Sequence, residues 1–217
     1  LGLGAALISV ILALFLGYGM RIMPGKTTII SIRTASIGYA IPGTVIAVGV
    51  IIPFAWLDLR FDAFMKSSLG ISSGLIFSGT LIAVIFAYVV RFLAISLQSV
   101  ESGLDKIKPS MEEAARSLGC RARDTLFKIH IPLLKSSTLT ALMIVFVDVM
   151  KELPATLILR PFDFNTLAVR AFELASDERL ADSSTAALTI VFVGLLPVIY
   201  LSKTISHSRL DQGKTKI

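Results

Sequence analysis

Three charged residues interrupt an otherwise apolar run: Asp148, Lys151 and Glu152. Their spacing of i, i+3 and i+4 puts them on one helix face, where Lys151 can pair with either acid. Pro154 has no N–H, so the Met150 carbonyl loses its intrahelical donor and adds an acceptor beside that face. In lipid, such groups form either a gate or pathway for a polar solute or an internally neutralised pair that locks helices together. Other chemistries fail on residue type or spacing. The single cysteine, Cys120, allows no internal disulfide, and two lone histidines, His130 and His207, make no Cys/His zinc cluster. Tyr18, Tyr39, Tyr88 and Tyr200 are scattered, so no iron-ligand grouping and no metal site is expected. Gly19 and Gly25, around MPGKTT, are separated by five residues where a phosphate-binding loop needs four, and an apolar segment precedes them where a strand is required. A chain without that loop is not itself the ATPase.

The elements that must position these groups follow from composition. Of 217 residues 54% are apolar and 17% charged, with a mean hydropathy of +0.80, which is far from a water-soluble enzyme domain. A charge at the bilayer centre costs about 2.5 to 3.5 kcal/mol, so charge-free windows mark the crossings. They predict an all-α polytopic membrane protein of five transmembrane helices at about 1–20, 36–57, 74–98, 136–158 and 184–202, forming one domain over 1–205 with a tail at 206–217. The fourth crossing carries the Asp148 group. Ser36, Ala40, Gly43 and Ala47 recur at spacings of four, three and four, as either a small-residue packing stripe or a generic small-residue helix. Pro42, Pro154 and Pro197 predict kinks or unwinding inside spans. Arg91, within the third span, either snorkels to the inner headgroups or reaches towards Asp148, across a depth difference of roughly 8 Å.

The net charge is +6 and the pI about 9.6. Seven Lys or Arg residues fall within 101–135, which makes that loop cytoplasmic. Counting outward puts 14 basic residues inside and five outside, with Arg91 and Lys151 within spans. Topology therefore explains the basic excess, and a nucleic-acid partner loses its motive. The same parity places Leu1 outside, so at least one upstream helix is expected before this sequence. The opening run lacks the marks of a signal peptide. The outer loop over 160–182 mixes charges and is expected to be mostly solvated surface.

Within the inside loop, residues 109–132 read PSMEEAARSLGCRARDTLFKIHIP. Ser110 and Glu113 form a capping-box pattern that starts a helix near Met111, and Gly119 suits the left-handed position that ends one. A second short helix over about 122–129 should follow, before Pro132 interrupts the chain. The result is a hinged, rigid knob between two membrane helices.

Glu113-Ala114-Ala115, three residues, Gly119, nine residues, then Ile129-His130-Ile131-Pro132 resembles the EAA loop of permease subunits in binding-protein-dependent ABC importers, with Ile131 where leucine is usual. The runs GYAIPGTVIAVGV, residues 38–50, and DVMKELPATLILRPFDFNTLAVRAFELASDERL, residues 148–180, are similar to ferric-iron importer permeases and more distantly to thiamine permeases. The resemblance implies a MetI-like membrane domain matching the C-terminal half of a tandem permease, or a half-size subunit that dimerises. It implies a coupling loop at Glu112, Glu113, Ala114, Ala115, Gly119, Ile129 and Pro132, while the residues within the spans put the pathway or gate at Asp148, Lys151, Glu152, Pro154, Pro42 and Gly43. It further implies an ATP-binding cassette subunit that holds ATP and Mg, a periplasmic solute-binding protein, a second permease half, and a bacterial inner membrane. The expected cargo is ferric iron, with thiamine or another small solute as the alternative. An ion-coupled secondary transporter, using Asp148 and Glu152, is a further reading.

Overall fold

The computed structural model describes residues 1–214, with side chains described throughout except at 122 and 204–214. The helices are α1 (Gly2–Ile22), α2 (Lys26–Ala35), α3 (Gly43–Leu69), α4 (Leu81–Leu104), α5 (Pro109–Ser117), α6 (Ala122–Thr125), α7 (Ile131–Met150), α8 (Pro154–Leu159), α9 (Leu167–Ser176) and α10 (Leu180–Lys214). A single 3-10 turn, Gly38–Ala40, joins α2 to α3, and a π turn, Leu126–His130, joins α6 to α7. Among the described residues there is no strand. Five helical stretches are long and apolar enough to cross a bilayer: Gly2–Ile22, Gly43–Leu69, Leu81–Leu104, Arg123–Met150 and Leu180–Lys203. The fold is that of an all-α polytopic membrane protein. The expected tail at 206–217, with His207, lies outside the residues whose side chains are described.

The centre of the bundle is α4 packed against α1 and α7, which also touch each other. Close approach is possible because α1 presents Ala5, Ser9, Ala13 and Gly17, four buried small residues every fourth position. Around Ala5 and Ala6 one cluster gathers Ala83, Val84 and Ala87 from α4 and Val145 and Val149 from α7. A second cluster, Ala13, Leu97, Val100, Leu104 and Leu134, closes the end of the bundle that lies towards α5. The small-residue stripe expected on the second crossing does not exist as one face. Ser36 caps the end of α2, Ala40 lies in the 3-10 turn, and only Gly43 and Ala47 belong to α3.

The boundaries of the middle crossings also differ from expectation. The second begins at Gly43, at the depth of Arg91, and runs to Leu69 through four charged residues, Asp58, Arg60, Asp62 and Lys66. These charges do not end the helix, because two of them organise the loop that follows. Asp58, 1% exposed, accepts the backbone N–H groups of Ile76, Phe77 and Ser78 at 2.9, 2.9 and 2.7 Å, and Asp62 accepts Ser73 N–H and Ser72 O–H at 2.9 and 2.8 Å. Residues 70–80 are thus folded back by carboxylates on the preceding helix. The third crossing starts at Leu81 rather than near 74, with Thr80 as its N-cap accepting from Ile82 N–H.

The fourth crossing is the most altered. Pro132 does not interrupt the chain: it sits in the first turn of α7, where its missing N–H costs nothing. The π turn before it, closed by Ile131 N–H to Leu126 C=O, shifts the helix so that the proline ring avoids the preceding turn. At the other end α7 stops at Met150, residues 151–153 unwind, and Pro154 opens α8. Pro154 has no N–H to offer the Met150 carbonyl, which interrupts the hydrogen-bond ladder at this point. By contrast α10 continues through Pro197, and Pro42 is the N-cap of α3 rather than an interior kink. The outer loop at 160–182 is partly structured. Its helix α9 buries Ala168, Val169 and Leu174, packs against α10, and accepts Ser183 O–H at Ala171 C=O, 2.8 Å.

Candidate functional site

The end of the bundle that carries the EAA pattern is built around Glu112, one residue before it. Helix α5 starts with Pro109 at its first turn and Lys108 as N-cap, with no side-chain capping bond, so the capping box expected from Ser110 and Glu113 does not form. Pro109 already fixes the first turn, and the register it sets turns Glu112 inward and Glu113 outward. Glu112, 9% exposed, makes an ion pair with Arg21, faces His130 Nε2 at 3.2 Å and Arg116 at 3.6 Å. Arg21 also donates to the Leu104 and Ile107 carbonyls. It therefore ties the end of α1, the end of α4 and the start of α5 together. His130 is fully buried in the π turn and stacks edge-on against Tyr18 at 5.1 Å between centroids.

The outward face of this lever carries the remaining loop residues. Glu113 and Ala114 are exposed, Ala115 is buried, and Ile129 is half-buried beside exposed Pro132. Gly119 adopts φ +81°, with Gly119 N–H to Arg116 C=O at 2.9 Å and Cys120 N–H to Ala115 C=O at 3.0 Å, the paired bonds that close a helix on a left-handed glycine. Met111, Leu118 and Phe127 are exposed around it, with the Arg123 guanidinium 5.8 Å from the Phe127 ring centroid. From Ala122 the chain runs through the π turn into α7 without interruption, so α6, the π turn and the fourth crossing form one continuous rod.

About 20 Å deeper, at the thirteen-residue distance from Arg91 to the end of α4, lies a second polar centre. The Asp148 group does not share one helix face, because α7 ends between its members. Lys151 Nζ pairs with Asp148 at 2.8 Å, and Glu152 turns the other way to meet Arg91 Nε at 3.3 Å. Arg91 neither snorkels inward nor reaches Asp148: its Nη1 donates to Ile41 C=O at 3.0 Å, and its guanidinium lies 5.8 Å from the Phe92 ring centroid. Glu152 Oε1 accepts Ala155 N–H at 3.3 Å, and its backbone carbonyl accepts Thr156 O–H at 2.8 Å. Tyr88 O–H completes the chain by donating to Thr156 Oγ1 at 2.5 Å.

Gly43 is the close-approach point of this centre. A Cβ there would sit 2.5 Å from Glu152 Oε1 and 2.9 Å from Arg91 Nη1. Gly38 is tighter still, since its Cβ would land on the Val90 carbonyl oxygen. The centre therefore welds the starts of α3 and α8 to α4, whereas Pro42 and Pro154 are exposed helix-start residues beside it. Sequence reasoning missed Arg21, His130, Gly38, Tyr88 and Thr156 as members of these centres. Arg21 carried one signal, a cation closing an apolar run. The aromatic and hydroxyl members carried none.

The chain matches the family described as "Binding-protein-dependent transport system inner membrane component" over residues 5–212. It is 27% identical over 202 residues to the Fe(3+)-transport system permease protein FbpB 2 of Haemophilus influenzae, covering 93% of this chain and 37% of that protein. It is 30% identical over 173 residues to PhnV, a Salmonella typhimurium protein named for 2-aminoethylphosphonate transport, covering 80% of this chain and 58% of that protein. A bacterial alginate ABC transporter, solved in complex with an alginate pentasaccharide-bound periplasmic protein, contains a chain that superposes with a TM-score of 0.68 at 12% identity. That match covers 89% of this chain and 69% of the other, and at this identity the likeness is one of fold. The chain thus spans less than two thirds of the length of either relative.

Proposed function

Because this chain belongs to the binding-protein-dependent transport system inner membrane component family, we propose that it forms one membrane half of an ATP-driven importer carrying ferric iron from a periplasmic solute-binding protein to the cytoplasm. The chain is a multi-pass transport subunit and not an enzyme. In this reading ATP and Mg are held by a partner ATP-binding cassette subunit, a second permease half completes the pathway, and the membrane is the bacterial inner one. Family membership removes the motive for an ion-coupled secondary transporter.

The observation that carries the reading is the continuity of the lever. Helix α5 exposes Glu113, Ala114 and Leu118 to the cytoplasm, while its inner side is pinned by Glu112 to Arg21 and His130. A push on the exposed face reaches α1 and α4 through Arg21, and reaches α7 through the Gly119 turn and the π turn. Helix α7 delivers it to the break at 151–153, where Glu152 is welded to Arg91 and Asp148 is paired with Lys151. Nucleotide-driven closure of the partner ATPases would shift the bundle between inward-open and outward-open states only if the lever makes different contacts in the two.

Ferric iron is favoured as cargo by the likeness to FbpB 2, and the likeness to PhnV supplies the competing cargo, 2-aminoethylphosphonate. Both are tested in proteoliposomes holding the complete transporter, with ATP inside and binding protein outside. Uptake of labelled ferric iron, undiminished by excess 2-aminoethylphosphonate, is the expected result; uptake of the phosphonate instead would overturn the cargo assignment. Gly119→Val should abolish uptake of either while the chain remains inserted, and full uptake by that variant would overturn the lever.

A further inference from the structure

One cavity of about 510 Å³ lies beside the second centre and shares Asp148 with it. It is a groove along the side of α4, lined by Ser36, Tyr39, Gln98, Glu101, Ile144 and Asp148 together with small side chains. Its position matters more than its size. Tyr39 is 49% exposed and Gln98 is exposed, yet Gln98 lies six residues from the inner end of a membrane-crossing helix and Asp148 two residues from the outer end of another. Lipid offers such groups no hydrogen-bond partner, so polar side chains at this depth face water or other protein. Elsewhere the bundle exposes Phe15, Ile52 and Phe86, which are suited to hydrocarbon.

We infer that this groove is the water-lined inner half of the solute pathway, and that its wall favours cationic over anionic solutes. The inference rests on the transport reading above and redistributes its residues. Asp148 and Lys151 stand at the deep end of the groove, while Glu152, Gly43 and Arg91 sit behind it as the weld that fixes its wall. Lys151 neutralises Asp148 at 2.8 Å, so the charge left on the wall is the Glu101 carboxylate. The other polar lining groups, the Tyr39 phenol, Gln98 amide and Ser36 hydroxyl, are uncharged and both donate and accept, so Glu101 sets the sign of the wall. A wall of this kind lowers the energy of a passing cation and raises that of an anion.

The test uses the complete transporter in inside-out membranes, with Cys120→Ser removing the chain's own thiol. Gln98→Cys, and separately Ala94→Cys in case the first is poorly tolerated, are exposed to membrane-impermeant cationic and anionic methanethiosulfonates. Phe15→Cys, at a similar distance from the inner end of α1, is the apolar control. Expected are labelling at 94 and 98 but not at 15, and a cationic rate at least several-fold above the anionic one after normalisation to a free thiol. Adding Glu101→Gln should bring that ratio close to one. No labelling at 94 and 98 with or without nucleotide would overturn the inference, meaning that a second permease half or lipid seals the groove. Equal normalised rates would overturn its charge preference. Labelling does not depend on which cargo is carried, so a groove that labels as expected in a transporter inactive towards iron would leave the pathway standing and remove the cargo.

Discussion

Glu152→Gln is the most informative single change in the membrane interior. It keeps the shape of the side chain and leaves an oxygen to accept Ala155 N–H, but it strands Arg91. Arginine cannot shed its proton, and the remaining contacts, Ile41 C=O at 3.0 Å and the Phe92 ring, do not neutralise it. Removing one partner of a buried pair costs about 3 to 5 kcal/mol. Because the Arg91 side chain is 19% exposed against 7% for Glu152, the lower figure applies, about 3 kcal/mol or roughly a hundredfold in the folded to unfolded ratio. Arg91→Met should cost less, since Glu152 keeps the Ala155 N–H as a donor to its carboxylate. The double variant leaves no orphan charge and should be more stable than Glu152→Gln alone, with a coupling energy of about 2 kcal/mol. Unfolding of the purified chain in mixed SDS micelles, followed by the fluorescence of its only tryptophan, Trp56, measures all three. Costs that simply add, with the double variant the least stable, would refute a pair that acts as a unit.

Three further outcomes follow from the same contacts. Arg21→Ala removes the bonds to the Leu104 and Ile107 carbonyls and the partner of Glu112, so trypsin should cut at Arg116, Arg121 and Arg123 many-fold faster while the crossings stay protected. Asp58→Ala leaves three backbone N–H groups without their acceptor at a cost of about 1 to 3 kcal/mol each where burial persists, so amide exchange at Ile76, Phe77 and Ser78 should accelerate sharply. Gly38→Ala and Gly119→Ala should differ in kind. The first drives a methyl into the Val90 carbonyl and should lower the unfolding midpoint clearly, whereas the second meets no atom within 4 Å and costs only about 1 to 2 kcal/mol of left-handed strain.

What the sequence made legible was whatever depends on hydrophobic transfer or on one residue's backbone. Five crossings appeared because charge-free runs leave few alternatives in lipid, and the left-handed Gly119 appeared because the residues before it form a short helix that must end. Helix ends were misplaced where polar side chains serve a neighbour rather than solvent. Asp58 and Asp62 looked like the end of the second crossing but are acceptors for a folded-back loop, so α3 continues to Leu69. The EAA spacing located the lever but not its fastening, since Glu112 is buried by Arg21, a residue 91 positions earlier. The Asp148 group was read as one helix face because its spacing allowed it. The break before Pro154 splits it, and no periodicity records that Arg91 lies opposite Glu152 rather than Asp148.

The central claim is that the segment between α4 and α7 receives force from a nucleotide-hydrolysing partner on the cytoplasmic side. Cys120, next to Gly119 and partly exposed, reports on it directly. A bifunctional thiol reagent applied to membranes containing the complete transporter should join Cys120 to the ATP-binding subunit, with a yield that changes between nucleotide-free and ATP-trapped states. Labelling of Cys120 by an impermeant reagent from the periplasmic side, or the absence of any such adduct in both nucleotide states, would contradict it.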